Sequence, residues 1–131
     1  GTGVLRVRIF ALLGAANAFL AVAAGAFGAH GLKKRLTPEM LDVFEVGARY
    51  HMVHALGLFA AAWLVAQGGA GAPAARVGGW LMLAGIAVFS GSLYALAMTG
   101  TKGLGAITPI GGVCFLAAWA CLGWGAYKLA G

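Results

Sequence analysis

A chain of 131 residues with 62% hydrophobic and only 9% charged side chains cannot cover a water-soluble surface, since soluble domains carry about 25% charged residues. Its mean hydropathy of +0.92 points to an integral membrane protein. The formal charge of +6 is not gathered into a basic stripe interleaved with aromatics, so nucleic acid is not an expected partner.

The first apolar run covers residues 9–29 behind Arg6 and Arg8. It is too long for a signal-peptide apolar region and matches the roughly 20 residues a spanning helix needs. Gly14, Ala18, Ala21, Gly25 and Gly28 step along it by 4, 3, 4 and 3. That near-3.5 period keeps one stripe of small residues toward neighbours, where backbones can approach closely. Asn17 lies on the same face. A polar side chain inside lipid needs a partner, so an interhelical hydrogen bond is expected there, with a solute pathway as the sharper alternative.

Lys33, Lys34 and Arg35 follow, as an expected contact with the lipid interface. Residues 37–49 then hold all three acidic residues, Glu39, Asp42 and Glu45. Arg35–Glu39 and Glu45–Arg49 are four-apart pairs of opposite charge, while Leu36, Met40, Val43, Phe44 and Gly47 share the other face. This predicts an amphipathic helix at the membrane surface between the first and second spans.

The second span is expected over residues 50–66 and opens with "YHMVHALGL". Gly47, Tyr50, His54, Gly57 and Ala61 repeat the 3–4 stepping, which places Tyr50 and His54 on an inner seam. At 100° per residue His51 lies about 60° from His54, at the flank of that seam, and is expected to be peripheral.

"QGGAGAPAAR" reads as a short turn into a third span over residues 77–98. Gly78, Gly85, Ser92 and Thr99 recur there every seven residues. "TGTKGLGA" leads to the fourth span, residues 107–127. Gly111, Cys114, Ala118, Cys121 and Gly125 form its seam, which makes the two cysteines small packing residues. Seven residues apart on a helix, they are too distant to bond each other.

Trp63, Trp80, Trp124 and Tyr127 all fall near the chain-terminal ends of their spans, as one interfacial aromatic belt would. Four spans put both termini on one side. Basic residues are nearly balanced between the sides: Arg6, Arg8, Arg76 and Lys128 against Lys33, Lys34, Arg35 and Lys102, with Arg49 near the boundary. "RLTPEM" and "AITPIG" both set Thr-Pro before a helix, and Thr37 and Thr108 are candidate caps. Each follows a Gly-Leu pair, which hints at a duplicated two-helix unit.

The expected fold is therefore all-α: a single transmembrane four-helix bundle with short loops and one interfacial helix. Beyond composition, "GAFGAHGL", "YHMVHALGL", "FSGSLYALA" and "ITPIGGVCFLAAWA", in that order, resemble the YgdD-like family of small four-helix membrane proteins. The resemblance runs through His30, Tyr50, His54, Ser90, Gly91, Ser92, Tyr94, Thr108, Pro109, Gly111 and Gly112; His51 falls where the family pattern does not require histidine. It implies the same fold, no established chemistry, and a multi-pass protein of the bacterial inner membrane with both termini cytoplasmic.

The candidate polar cluster is His30, Tyr50, His54, Ser90, Ser92 and Tyr94, expected to fix how the first three spans dock. Candidate metal ligands are His30, His51, His54 and Glu45, but no dense ligand motif exists and no cofactor is expected. Enzyme catalysis finds no paired carboxylates within a span and no nucleophile elbow around Ser90 or Ser92. The leading reading is a non-enzymatic interaction, assembly or membrane-organising role, with lipids, further copies of the chain or other membrane proteins as partners. A small-solute or ion pathway is the alternative, and a metal or haem protein using His30 and His54 the next.

Overall fold

The computed structural model describes residues 1–129, and they fold as a helical bundle. Helix α1 spans Thr2–His30 and α2 spans Pro38–Gln67. The third rod is built of α3 (Ala72–Gly85), a π turn (Ile86–Ser90) and α4 (Gly91–Thr99). Helix α5 spans Thr108–Tyr127. Short 3-10 turns at Gly69–Gly71 and Lys102–Ala106 lead into the last two rods.

Neighbouring rods run antiparallel. Gly28 of α1 lies against the Phe44 ring near the start of α2, and Gly14 lies against Phe59 farther along it. Gly47 of α2 meets Leu93 and Tyr94 of α4, while Gly57 meets Met82 of α3. Gly78 faces Ala118 and Leu122 of α5, and Gly71 packs directly on the Gly125 backbone. Most of these glycines make room for a ring or side chain of the facing helix, and at Gly71 the two backbones meet directly; small residues allow such close approach where lipid supplies no hydrophobic drive between helices.

The amphipathic segment and the second span are one continuous helix rather than two elements. Thr37 caps it by accepting from the Met40 amide at 3.2 Å, Pro38 occupies the first turn, and nothing breaks the backbone until Gly68 at φ 67°. Three rods are long and apolar enough to cross a membrane: Thr2–His30, Gly69–Thr99 and Lys102–Tyr127. Helix α2, which carries the acidic residues and both buried histidines, is not among them. Its position explains why. It packs against α1, α3, α4 and α5, so both histidines find protein partners, while Glu39, Asp42 and Glu45 lie exposed near its start.

The main core gathers Phe10 of α1 with Leu58, Ala61, Met82, Ile86, Phe115, Ala118 and Leu122 of α2, the third rod and α5. A smaller one at the opposite end joins Leu32, Phe44 and Ala97. Leu32 pins the α1–α2 turn inside the fold while Lys33, Lys34 and Arg35 beside it stay exposed. Thr108 does not cap α5. Its hydroxyl is engaged by Ser92 at 2.6 Å and by the Leu104 carbonyl at 3.4 Å, so only one of the two Thr-Pro starts is a capped one.

The seams follow the expected stepping in part. Gly14, Ala21 and Gly28 are buried but Gly25 is exposed; Gly78, Gly85 and Ser92 are buried but Thr99 is exposed. In α5, Gly111, Ala118 and Gly125 are buried and the two cysteines are half-buried at the edge.

Candidate functional site

The polar groups of the bundle interior meet midway along α2. His51 is 5% exposed and bridges α1 to α4. Its Nδ1 lies 2.9 Å from the Tyr94 hydroxyl and its Nε2 lies 2.9 Å from Asn17 Oδ1. The Asn17 amide nitrogen in turn donates to the Leu13 carbonyl at 2.8 Å. That last bond fixes the orientation of the Asn17 amide, and so the whole chain: Tyr94 O–H donates to Nδ1, Nε2–H donates to Asn17, and Asn17 donates to α1. The chain ends on a backbone carbonyl through a carboxamide, which does not relay protons.

His54 is 4% exposed and faces α5. Its Nδ1–H donates to the Tyr50 carbonyl at 2.7 Å, and its Nε2 accepts from the Trp119 indole at 3.0 Å. The ring lies flat on Phe115, with centroids 3.5 Å apart and planes 11° from parallel. The two histidines therefore hold opposite tautomers, each set by its own neighbours. Ser90, fully buried in the π turn, donates to the Gly47 carbonyl at 2.8 Å and ties the third rod to α2. Ser92 joins α4 to the start of α5 through Thr108. Among the described residues no buried side-chain nitrogen or oxygen lacks a partner.

Several expectations change. His51 is not peripheral: it is the hub of the three-helix chain. His51 does lie at the flank of the His54 face, but α2 packs on four other helices and buries several faces. Tyr50 does not lie on an inner seam. It is 40% exposed, its ring against Phe89 with centroids 4.8 Å apart and near Phe115, at the rim of the bundle. His30 does not join the cluster. It is exposed at the end of α1, one residue pair beyond Gly28, which packs at the level of Phe44; His51 is about 10 Å farther along α2. Glu45 is also exposed, on the outer face of α2. Among the described residues no group of three or more His, Cys, Asp or Glu side chains is placed to hold a metal ion.

Asn17, Ser90, Ser92 and Tyr94 do meet α2 or α5 as interhelical partners. Trp119 and Phe115, which hold His54, lie within "ITPIGGVCFLAAWA", but nothing in that apolar run marks them as partners of a histidine. Trp63, Trp80, Trp124 and Tyr127 are all exposed, and Lys128 sits over the Trp124 ring at 5.0 Å.

Residues 24–112 match the family described as Protein of unknown function (DUF423). The chain belongs to this family. It is 52% identical over 113 residues to the UPF0382 membrane protein YwdK of Bacillus subtilis, covering 86% of this chain and 91% of that protein. It is 46% identical over 125 residues to the UPF0382 membrane protein SSP2132 of Staphylococcus saprophyticus, covering 94% of this chain and all of the relative. No solved structure matches this DUF423 chain. The matched segment runs from the end of α1 to the start of α5 and so contains every hydrogen-bonded polar group of the interior except Asn17 and Trp119.

Proposed function

We propose that this DUF423 member, which we also take to be kin of the YgdD-like proteins, is a multi-pass protein of the bacterial inner membrane with a non-enzymatic interaction or assembly role. In this reading α2 is the fourth span of a single domain, both termini are cytoplasmic, and no cofactor is bound. The observation that carries it is the complete internal use of the buried histidines. All four ring nitrogens are hydrogen-bonded within the protein, leaving none to ligate a metal, bind haem or activate a nucleophile. Such a set works as an interhelical clamp, which in membranes contributes about 0.6 kcal/mol per bond, up to roughly 1.7.

The outward surface supports a role in association. Helix α1 packs principally against α2 and presents Leu12, Phe19 and Val22 outward. A photo-crosslinking residue at Leu12, Phe19 or Val22 in native membranes should give discrete protein adducts, with itself or with another membrane protein. Adducts to lipid alone at all three positions would overturn the reading.

A solute pathway is the second reading. A side groove of about 390 Å³ reaches His51 between Asn17, Ser90 and Tyr94. Flux into proteoliposomes that falls in a His51→Ala variant of intact fold would favour it over the clamp.

A further inference from the structure

We infer that the groove between α1 and α3, at the end of the bundle where the chain begins, binds an anionic phospholipid. Its phosphate is held between Arg6 and Arg76, and an acyl chain lies along Ile9, Phe10, Val77 and Trp80.

The groove exists because α1 and α3 both pack on α2 and approach each other only slightly. Phe10 bridges them, its ring over Gly79 and edge-on to Trp80 with centroids 5.1 Å apart. Above that bridge a cavity of about 560 Å³ opens sideways between the helices. Its walls are apolar apart from Thr2 and the two arginines. The volume falls in the range of ligand sites, and the composition is that of an amphiphile: a cationic rim over a hydrocarbon-lined slot.

The arginines have no acidic side chain to neutralise them here. Glu39, Asp42 and Glu45 are the only three in the chain and sit at the start of α2, about 30 Å along that helix from its other end. Helix α3 also begins at this end, so its dipole adds to the positive potential. Trp80, half exposed at the groove wall, has the amphipathic ring favoured where headgroups meet chains. Basic pockets between membrane helices are recognised anionic headgroup sites, and the two guanidinium forks suit a phosphate diester. Arg8 lies on the other flank of α1, beside Val65 and Gly68, and is not part of the groove.

The inference rests on the bundle lying in a bilayer with this end at an interface. The test uses the full chain in mild detergent, with native mass spectrometry of added dioleoyl phosphatidylglycerol against dioleoyl phosphatidylcholine. The wild type should retain phosphatidylglycerol preferentially. Arg6→Gln should weaken it about fivefold and Arg6→Gln with Arg76→Gln roughly thirtyfold, while Arg8→Gln leaves it unchanged. Ile9→Trp, which fills the slot and keeps both arginines, should also abolish retention. Glycerol phosphate, which lacks chains, should not compete. Equal retention of the two lipids, an equal loss in Arg8→Gln, or competition by glycerol phosphate would each overturn the site. The membrane reading fails separately, if the chain does not fractionate with membranes.

Discussion

The two halves of this bundle are held together by different physics. Toward the chain-terminal end the helices close on glycines: Gly71 on the Gly125 backbone, Gly78 on the Ala118 carbonyl, and Gly79 and Gly85 under the rings of Phe10 and Phe115. Toward the other end they are joined by side-chain hydrogen bonds: Tyr94–His51–Asn17, Ser90 to Gly47, Ser92 to Thr108. His54 and the π turn lie at the boundary. Lipid offers no hydrophobic drive between helices, so a membrane bundle needs either close packing or polar glue. Here glycine contacts recur along the whole bundle, while the interhelical side-chain hydrogen bonds run from its middle toward one end. The first tolerates no added atoms, and the second tolerates no missing ones.

The largest effect should come from the close-packed half. A Cβ at Gly71 would run into the Gly125 carbonyl, which is backbone and cannot swing aside. Gly71→Ala should destabilise by on the order of 3 kcal/mol, measured by unfolding in mixed micelles with rising dodecyl sulfate. Gly123→Ala, two residues from Gly125 and facing open space, should be neutral or slightly stabilising. Equal effects at the two sites would show that glycine content, not backbone approach, sets the stability.

Next comes the polar half. His51→Leu leaves Tyr94 and Asn17 without their partner and should cost about 2 kcal/mol in the same assay. A double-mutant cycle of His51→Leu with Tyr94→Phe should return a coupling of roughly 1 kcal/mol. No coupling would mean the clamp contributes packing alone. Trp119→Phe removes only the donor to His54, and should lower stability by about 1 kcal/mol while leaving the His51 tautomer untouched. Imidazole nitrogen shifts by NMR read both rings, and a tautomer change at His51 would show that the two sites are coupled.

The smallest effect is expected at the edge that belongs to neither half. Cys114 is half-buried, so Cys114→Ala should change stability by less than about 0.5 kcal/mol. A larger loss would place the α5 flank inside a tighter contact than the bundle itself provides.

The architecture was readable because its signals are long. Four apolar runs and 3–4 stepping of small residues fix rods and faces without reference to any partner. Buried Gly14, Gly78, Gly111 and Asn17 all fall on faces that this stepping picks out. The site was less readable because it depends on which helix is central. A helix at the rim has one buried face, and on that premise His51 belonged outside and Tyr50 inside. Helix α2 has neighbours on several sides, so a shift of one residue moves a side chain from one partner helix to another. Nothing in "YHMVH" records that. The surplus of polar residues in α2 over the other rods was the available clue, since only a helix surrounded by protein can carry them.

The π turn at Ile86–Ser90 has a consequence for how such a chain can change. A wide turn is one residue more than an α-helix needs, and it rotates everything after it by about 100° relative to everything before. Helix α3 can thus offer Gly78 and Gly85 to α5 while α4 turns Tyr94 toward α2. A one-residue deletion within 86–90 would leave both halves of the rod helical and both sets of side chains present, yet aimed at the wrong neighbours. The spacing of this single turn sets which way Tyr94 points in a rod whose earlier half already seats Gly78 and Gly85 on α5.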